Sequence, residues 1–182
     1  MAFLKYCQDT KIPKCYFDCN IKNLKSLQPI AEKFLETSFP LMLYGEPGTG
    51  KTYFMLCLIR EILETQGYKR DYFRFISAMD LDDRITYDFK TFGSAKYFIE
   101  QLIDEHFLFI DDFGIEKSKD QAERNYYQVL DNRLGNQKTT LISTNLKEEE
   151  VLNIYGARIH SRLKQCITLH FKGEDYRKPP QL

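Results

Sequence analysis

The sequence predicts an α/β fold in which a five-stranded parallel sheet carries helices on both faces. Two observations lead there. Short apolar runs alternate along the chain with longer stretches whose apolar residues recur at helical spacing. A complete phosphate-loop signature, GEPGTGKT at 45–52, also stands between the first such run and the first such stretch. The predicted strand order is 5-1-4-3-2, which brings the ends of the first, fourth and third strands together at one point. The chain is expected to form one domain over 1–182, with a lead-in at 1–39 and the core at 40–182. A chain of 182 residues suffices for one sizeable core and not comfortably for two.

The elements follow in order. Residues 40–44, PLMLY, form a short apolar run ending at a Gly-rich turn, which suits a buried parallel strand. The next helix spans 51–66, with Met55, Leu58, Ile59, Ile62 and Leu63 at helical spacing and Gly67 as its C-cap. A second strand is expected at 72–76. Residues 94–105 read as a helix with Ser94 as N-cap and Phe98 and Leu102 on one face. Residues 107–110, FLFI, make a third, wholly apolar strand. The helix at 120–134 carries Ala122, Tyr126, Val129 and Leu130 on one stripe and closes at Gly135. The fourth strand is placed at 139–143, helices at 148–155 and 157–164, and the last strand at 167–171. No repeat, low-complexity tract or Pro/Gly linker divides the chain.

Composition excludes several functions. Apolar residues make up 43%, enough to bury a core. Lys+Arg and Asp+Glu number 26 each, so no global field draws the chain to nucleic acid or acidic lipid. No apolar run approaches the ~20 residues that span a bilayer. The N-terminal stretch lacks the apolar stretch of a signal peptide, so a cytoplasmic chain with no membrane partner is expected. Cys7, Cys15 and Cys19 are spaced unlike a zinc knuckle and read as reduced thiols. Cys57 and Cys166, in apolar surroundings, read as small buried hydrophobes.

The chemistry starts from the phosphate loop. Gly45, Gly48 and Gly50 let the backbone turn its N–H groups inward around phosphate oxygens. Lys51 reaches the β- and γ-phosphates as a point charge, and Thr52 offers its hydroxyl to Mg²⁺. The helix that follows directs its positive end at the anion. The expected ligands are ATP and Mg²⁺, held by Gly45, Glu46, Pro47, Gly48, Thr49, Gly50, Lys51, Thr52 and Tyr53. In FLFIDDFG, 107–114, two carboxylates close an apolar strand. Asp111 is expected to hold Mg²⁺, usually through a water, and Asp112 to orient or deprotonate the attacking water. Asn145, at the end of LISTN, either bonds the γ-phosphate or attacking water or caps the next helix. Arg158 and Arg162 stand four apart on one helical face. They are either a solvated pair or a guanidinium source for a neighbouring subunit's γ-phosphate.

The order of these motifs, with IDDFG, S-T-N-L and then G-x-R-x-x-S-R-L, resembles the DnaC/DnaI/IstB family of AAA+ ATPases. The resemblance covers roughly residues 11–178, including IPKCYFDCNI from Ile12 and FKGEDYR at 171–177. It implies a P-loop NTPase core of the AAA+ (ASCE) type without a C-terminal lid domain. It implies Lys51 and Thr52 for nucleotide and Mg²⁺, Asp111 and Asp112 as Walker B residues, and Asn145 as sensor 1. Arg162 matches the arginine finger acting in trans, with Arg158 one turn before it. Arg133 lies near an arginine of the family, and its role stays open. The implied partners are a replicative helicase or a transposase, with single-stranded DNA and a nucleotide-dependent homo-oligomer.

The dozen or so residues before the core are too few for a helicase-gripping domain, which points to a separate adaptor, a truncated version or a different partner. Arg84, Lys90 and Lys96 are the DNA-contact candidates, against a solvated surface. The main reading is a loader-like ATPase acting as a nucleotide-dependent switch in DNA replication. The alternative is a transposon helper ATPase. A small-molecule P-loop kinase fits less well, because such enzymes begin with the phosphate loop and carry arginine-rich lids.

Overall fold

The apolar runs become the strands of one parallel sheet. These are β1 (Leu41–Gly45), β2 (Phe73–Ser77), β3 (Phe107–Phe113), β4 (Thr140–Thr144) and β5 (Ile167–Phe171), in the order β2-β3-β4-β1-β5. Every pairing is parallel, and the order is the predicted one. A computed structural model of the chain describes residues 2–10, 12–37, 39–66, 73–114 and 119–176. Gly67, Tyr72, Arg177 and the side chain of Ala122 lie outside the described parts.

Seven α-helices stand in the described residues: α1 (Ala2–Asp9), α2 (Gln28–Thr37), α3 (Lys51–Gln66), α4 (Ala78–Phe92), α5 (Lys96–Asp104), α6 (Lys119–Gly135) and α7 (Glu148–Leu163). Strand side chains alternate between faces, so each face builds its own core. Leu41, Leu43, Phe107, Phe109 and Leu141 meet α1, α2 and α3 on one side. Leu108, Ile110 and Ile142 meet α4, α5, α6 and α7 on the other. Each such side chain, fully buried, contributes about 1.5–3 kcal/mol.

Three helices go beyond the sequence expectation. In α1, Phe3, Tyr6 and Cys7 are buried at helical spacing, but the element is only 8 residues long. The second is α2, which buries Ala31 and Phe34 against the P-loop face of the sheet. The third, α4, carries clear end signals. The Ser77 hydroxyl accepts the Asp80 N–H at 3.0 Å, and Gly93 ends the helix with φ 71°. Ser94 does not cap α5 as expected. Ala95 holds the N-cap position, and the Ser94 hydroxyl accepts the Lys96 N–H at 3.1 Å. Within α7, Gly156 (φ 74°, ψ 175°) breaks the helix where the sequence divides it in two.

Arg133 has a structural role. Its guanidinium is fully buried, at 0% exposure, in the last turn of α6. It donates to the carbonyls of Leu102 (2.8 Å), Ile103 (3.1 Å), Glu105 (2.8 Å) and Thr139 (2.6 Å), and to the Thr140 hydroxyl (2.9 Å). The end of α5 and the starts of β3 and β4 are thereby fixed to one planar group. Burial pulls its pKa down to about 10, against the pull of Glu105 and Asp104. Removing such a donor strands several buried carbonyls. Arg133→Met is therefore expected to cost about 3–5 kcal/mol in urea unfolding, and Arg133→Lys to recover only part, because an ammonium has three donors and no planar fork. A loss under ~1 kcal/mol in Arg133→Met would show that the network is dispensable.

Candidate functional site

The loop between β1 and α3 is held close to its neighbours. At Gly45 a Cβ would lie 2.1 Å from the Phe171 carbonyl oxygen, so only glycine lets β1 leave the sheet against β5. The Thr49 hydroxyl donates to the Glu46 carbonyl at 2.8 Å. Lys51 is 5% exposed, and its ammonium donates to the carbonyls of Gly45 (2.7 Å) and Glu46 (2.9 Å). The lysine is thus stored against its own loop at the base of the cradle. The Tyr53 hydroxyl accepts the Asn20 N–H at 3.3 Å and an Asn23 amide N–H at 3.4 Å, tying the lead-in to the start of α3.

Across the sheet, β3 breaks register with β4 between Ile110 and Phe113. Asp112 sits in this irregularity at φ 54°, a left-handed conformation that aspartate tolerates better than most residues. Its N–H donates to the Ser143 hydroxyl at 2.9 Å. That hydroxyl donates in turn to Asp111 Oδ1 at 2.5 Å, and the Thr52 hydroxyl donates to the same oxygen at 3.2 Å. Asp111 is 6% exposed. Burial pushes its carboxyl above the ordinary aspartate range and Asp112 adds to the push, while the Ser143 and Thr52 hydroxyls oppose it.

These parts face a cavity of about 920 Å³, within the size range of ligand sites. Pro47, Gly48, Thr49, Gly50, Lys51, Thr52 and Tyr53 line it together with Asp112 and Asn145. Gly45 and Glu46 stand behind the lining and supply the carbonyls that hold Lys51. Among the described residues, the Asn145 side-chain oxygen is buried without a hydrogen-bond partner. An orphaned polar atom at a cavity wall calls for a polar ligand. Thr52 and Asp111 oxygens 3.2 Å apart are a donor set of the kind Mg²⁺ takes, so the residues present fit the expected ion. Asp112 and Asn145 thus share one cavity wall with the phosphate loop.

Arg158 and Arg162 are not among the residues lining this cavity. Arg162 pairs with Asp131 on α6, and the Arg158 guanidinium lies 5.8 Å from the centre of the Tyr127 ring. Ser143 escaped the sequence reading, although it stands in the S-T-N motif. Its role depends on the β3/β4 register, where Ile110 pairs with Ile142. The thiols of Cys7, Cys19, Cys57 and Cys166 are buried, and Cys15 lines the cavity.

The strand order, the loop at the end of β1 and the carboxylates at the end of β3 define a P-loop nucleotide-binding domain of AAA+ architecture. The chain belongs to the family of IstB-like ATP binding proteins, whose model matches residues 14–181. It is 26% identical over 162 residues to the uncharacterized protein YqaM of Bacillus subtilis, covering 84% of this chain and 49% of that one. It is 22% identical over 160 residues to the replicative helicase loader DnaC of Escherichia coli, covering 85% of this chain and 62% of DnaC. The chain therefore spans about half the length of the first relatives it matches. A crystal structure of the DnaC helicase loader superposes with a TM-score of 0.71 at 22% identity, covering 88% of this chain and all of that one. The replication initiator DnaA, bound to AMPPCP and single-stranded DNA, superposes with a TM-score of 0.72 at 18% identity over 86% of this chain and 50% of that one. Both likenesses establish the fold.

The Asp111 environment has a measurable consequence. A carboxyl whose folded-state pKa lies above its unfolded value contributes stability below the unfolded value and loses it as pH rises through the folded one. At neutral pH the buried charge is therefore a cost. Asp111→Asn removes that charge and keeps an oxygen for Ser143 and Thr52. The nucleotide-free variant is expected to melt ~2–4 °C higher at pH 7, with the gain shrinking as pH falls into the carboxylate range. A lower melting temperature at pH 7 would contradict the desolvation account.

Proposed function

We propose that this chain binds and hydrolyses ATP with Mg²⁺, and acts as a loader-like, nucleotide-dependent switch on a replicative helicase in DNA replication. The observation that carries the nucleotide reading is the convergence of Lys51, Thr52, Asp112 and Asn145 on one cavity with Asp111 directly behind it. Thr52 and Asp111 would hold Mg²⁺, whose charge offsets that of the phosphates. Lys51 exchanges its loop carbonyls for phosphate oxygens. Asp112 orients the attacking water and takes its proton, and Asn145 accepts from that water with its orphaned oxygen or donates its amide N–H to the γ-phosphate. Arg162 acts on the site of a neighbouring copy, exchanging Asp131 for phosphate charge, and Arg158 supports it from the preceding turn. The active unit is then a nucleotide-dependent homo-oligomer.

Single-stranded DNA as a further partner is supported by α4 and α5. Tyr87, Phe89, Phe92 and Tyr97 are 59–75% exposed there, beside the exposed Lys90. Exposed rings next to a cation offer stacking faces for unpaired bases. Arg84 is committed to Asp88 at 2.9 Å, and Lys96 faces Glu100 at 3.6 Å, so neither adds much positive field. A second reading, a transposon helper ATPase acting with a transposase, is favoured by the IstB-like family match.

Subunit mixing tests the site. Lys51→Ala and Arg162→Ala are each expected to lower turnover at least tenfold, and their mixture to recover part of it through interfaces that join intact halves. Asp112→Asn should bind ATP normally and turn over at least tenfold more slowly. No recovery under conditions where the wild type assembles would place Arg162 in its own subunit's structure, and full activity of Arg162→Ala would make it a surface residue.

A further inference from the structure

The five residues after β5 have no role in the site as described so far, yet they lie on it. The Tyr176 N–H donates to the Gly48 carbonyl at 3.1 Å, tying this segment to the phosphate loop. The Asp175 carboxylate packs so closely on Gly48 (φ +79°) that a Cβ there would lie 1.8 Å from Oδ1. Backbone and side chain together fix the segment across the outer rim of the loop. Tyr176 is left 78% exposed, and it lines the cavity with Lys172.

The strand order says which end of a nucleotide this rim faces. Asp112 lies near the end of β3 and Asn145 just after β4, both on one side of β1, and the segment follows β5 on the other. The phosphate loop runs from β1 between them. A triphosphate whose γ-phosphate meets Asp112 and Asn145 therefore directs its nucleoside toward the β5 side. The groups required there are not charges but a flat apolar face, and an exposed tyrosine ring lining the cavity supplies one. Tyr16, Leu24 and Leu27 add further apolar lining from the lead-in.

We propose that Tyr176 is the stacking face for the nucleobase, anchored for that purpose by the hold of Asp175 and its own N–H on Gly48. The proposal rests on the ATP reading and deepens it by naming the wall that takes the base. No bond forms or breaks. The ring gives van der Waals and π contact to a purine and nothing to the phosphates.

Titration calorimetry of the full chain with Mg²⁺ and either ATP or inorganic tripolyphosphate tests this. Four proteins are compared: wild type, Tyr176→Ala, Tyr176→Phe and Lys51→Ala. Tyr176→Ala keeps the backbone strap and removes an exposed ring, so the fold is retained. It is expected to weaken ATP roughly 5- to 100-fold, the range that base–aromatic stacking gives, and to leave tripolyphosphate within about twofold. Tyr176→Phe should bind both as the wild type does, and Lys51→Ala should weaken both. Wild-type ATP affinity in Tyr176→Ala, with Lys51→Ala still weakened, overturns the stacking role and leaves the ATP reading standing. Equal loss of ATP and tripolyphosphate in Tyr176→Ala also overturns it, because the ring would then act on the loop. If Lys51→Ala binds ATP normally, or the wild type does not bind it, the ATP reading fails and the stacking role fails with it.

Discussion

A buried carboxylate, Asp111, sets the terms for the rest of the site. Its Oδ1 receives hydroxyl protons from Ser143 on β4 and from Thr52 at the start of α3. One oxygen therefore joins the third strand, the fourth strand and the phosphate loop that leaves the first. Taking a carboxylate out of water costs several kcal/mol, and two neutral donors offset only part of that. The remaining cost explains the raised pKa and marks a place prepared for positive charge. The same triangle shapes the backbone. With Ser143 engaged by Asp111 and by the Asp112 N–H, β3 cannot continue its regular ladder, and Asp112 turns into the cavity in a left-handed conformation.

The phosphate loop is held from several sides before any ligand arrives. Gly45 passes against the Phe171 carbonyl, Gly48 lies under Asp175, and Tyr53 ties the loop's far end to Asn20 and Asn23. Lys51 is stored on two loop carbonyls at the floor of the cradle. Such pre-organisation lowers the ordering cost of binding, because little loop entropy is left to lose. It also makes the lead-in and the final segment part of the site rather than appendages to the sheet. The buried Arg133 does the corresponding work at the opposite ends of the strands, fixing where β3 and β4 begin.

The fold was legible in the sequence because each strand is a short apolar run and the phosphate loop locates the first of them. Strand order followed from the need to bring two motif-bearing strand ends to one phosphate. The helices of the lead-in were not legible, since α1 and α2 are only 8 and 10 residues long and bury only a few side chains each. In α4 the buried Asp82 and Asp88 interrupt the apolar stripe, so the cap residues Ser77 and Gly93 had no helical pattern between them to bound. At the site, Lys51, Thr52, Asp111 and Asp112 could be named from type and spacing alone. Ser143 and Asp175 could not, because one depends on strand register and the other on where the chain goes after its last strand. Arg162 was named from a motif, and in this structure it serves Asp131.

The Asp111–Thr52 junction is where the metal of a bound nucleotide is expected to sit. Crystals grown with a non-hydrolysable ATP analogue and Mn²⁺ in place of Mg²⁺, measured for anomalous scattering, locate that ion directly. The predicted result is one Mn²⁺ peak beside the Thr52 hydroxyl and on the Asp111 side of the cavity, with Lys51 swung from the loop carbonyls to phosphate. A nucleotide bound elsewhere, or a metal peak away from both Thr52 and Asp111, would contradict the account.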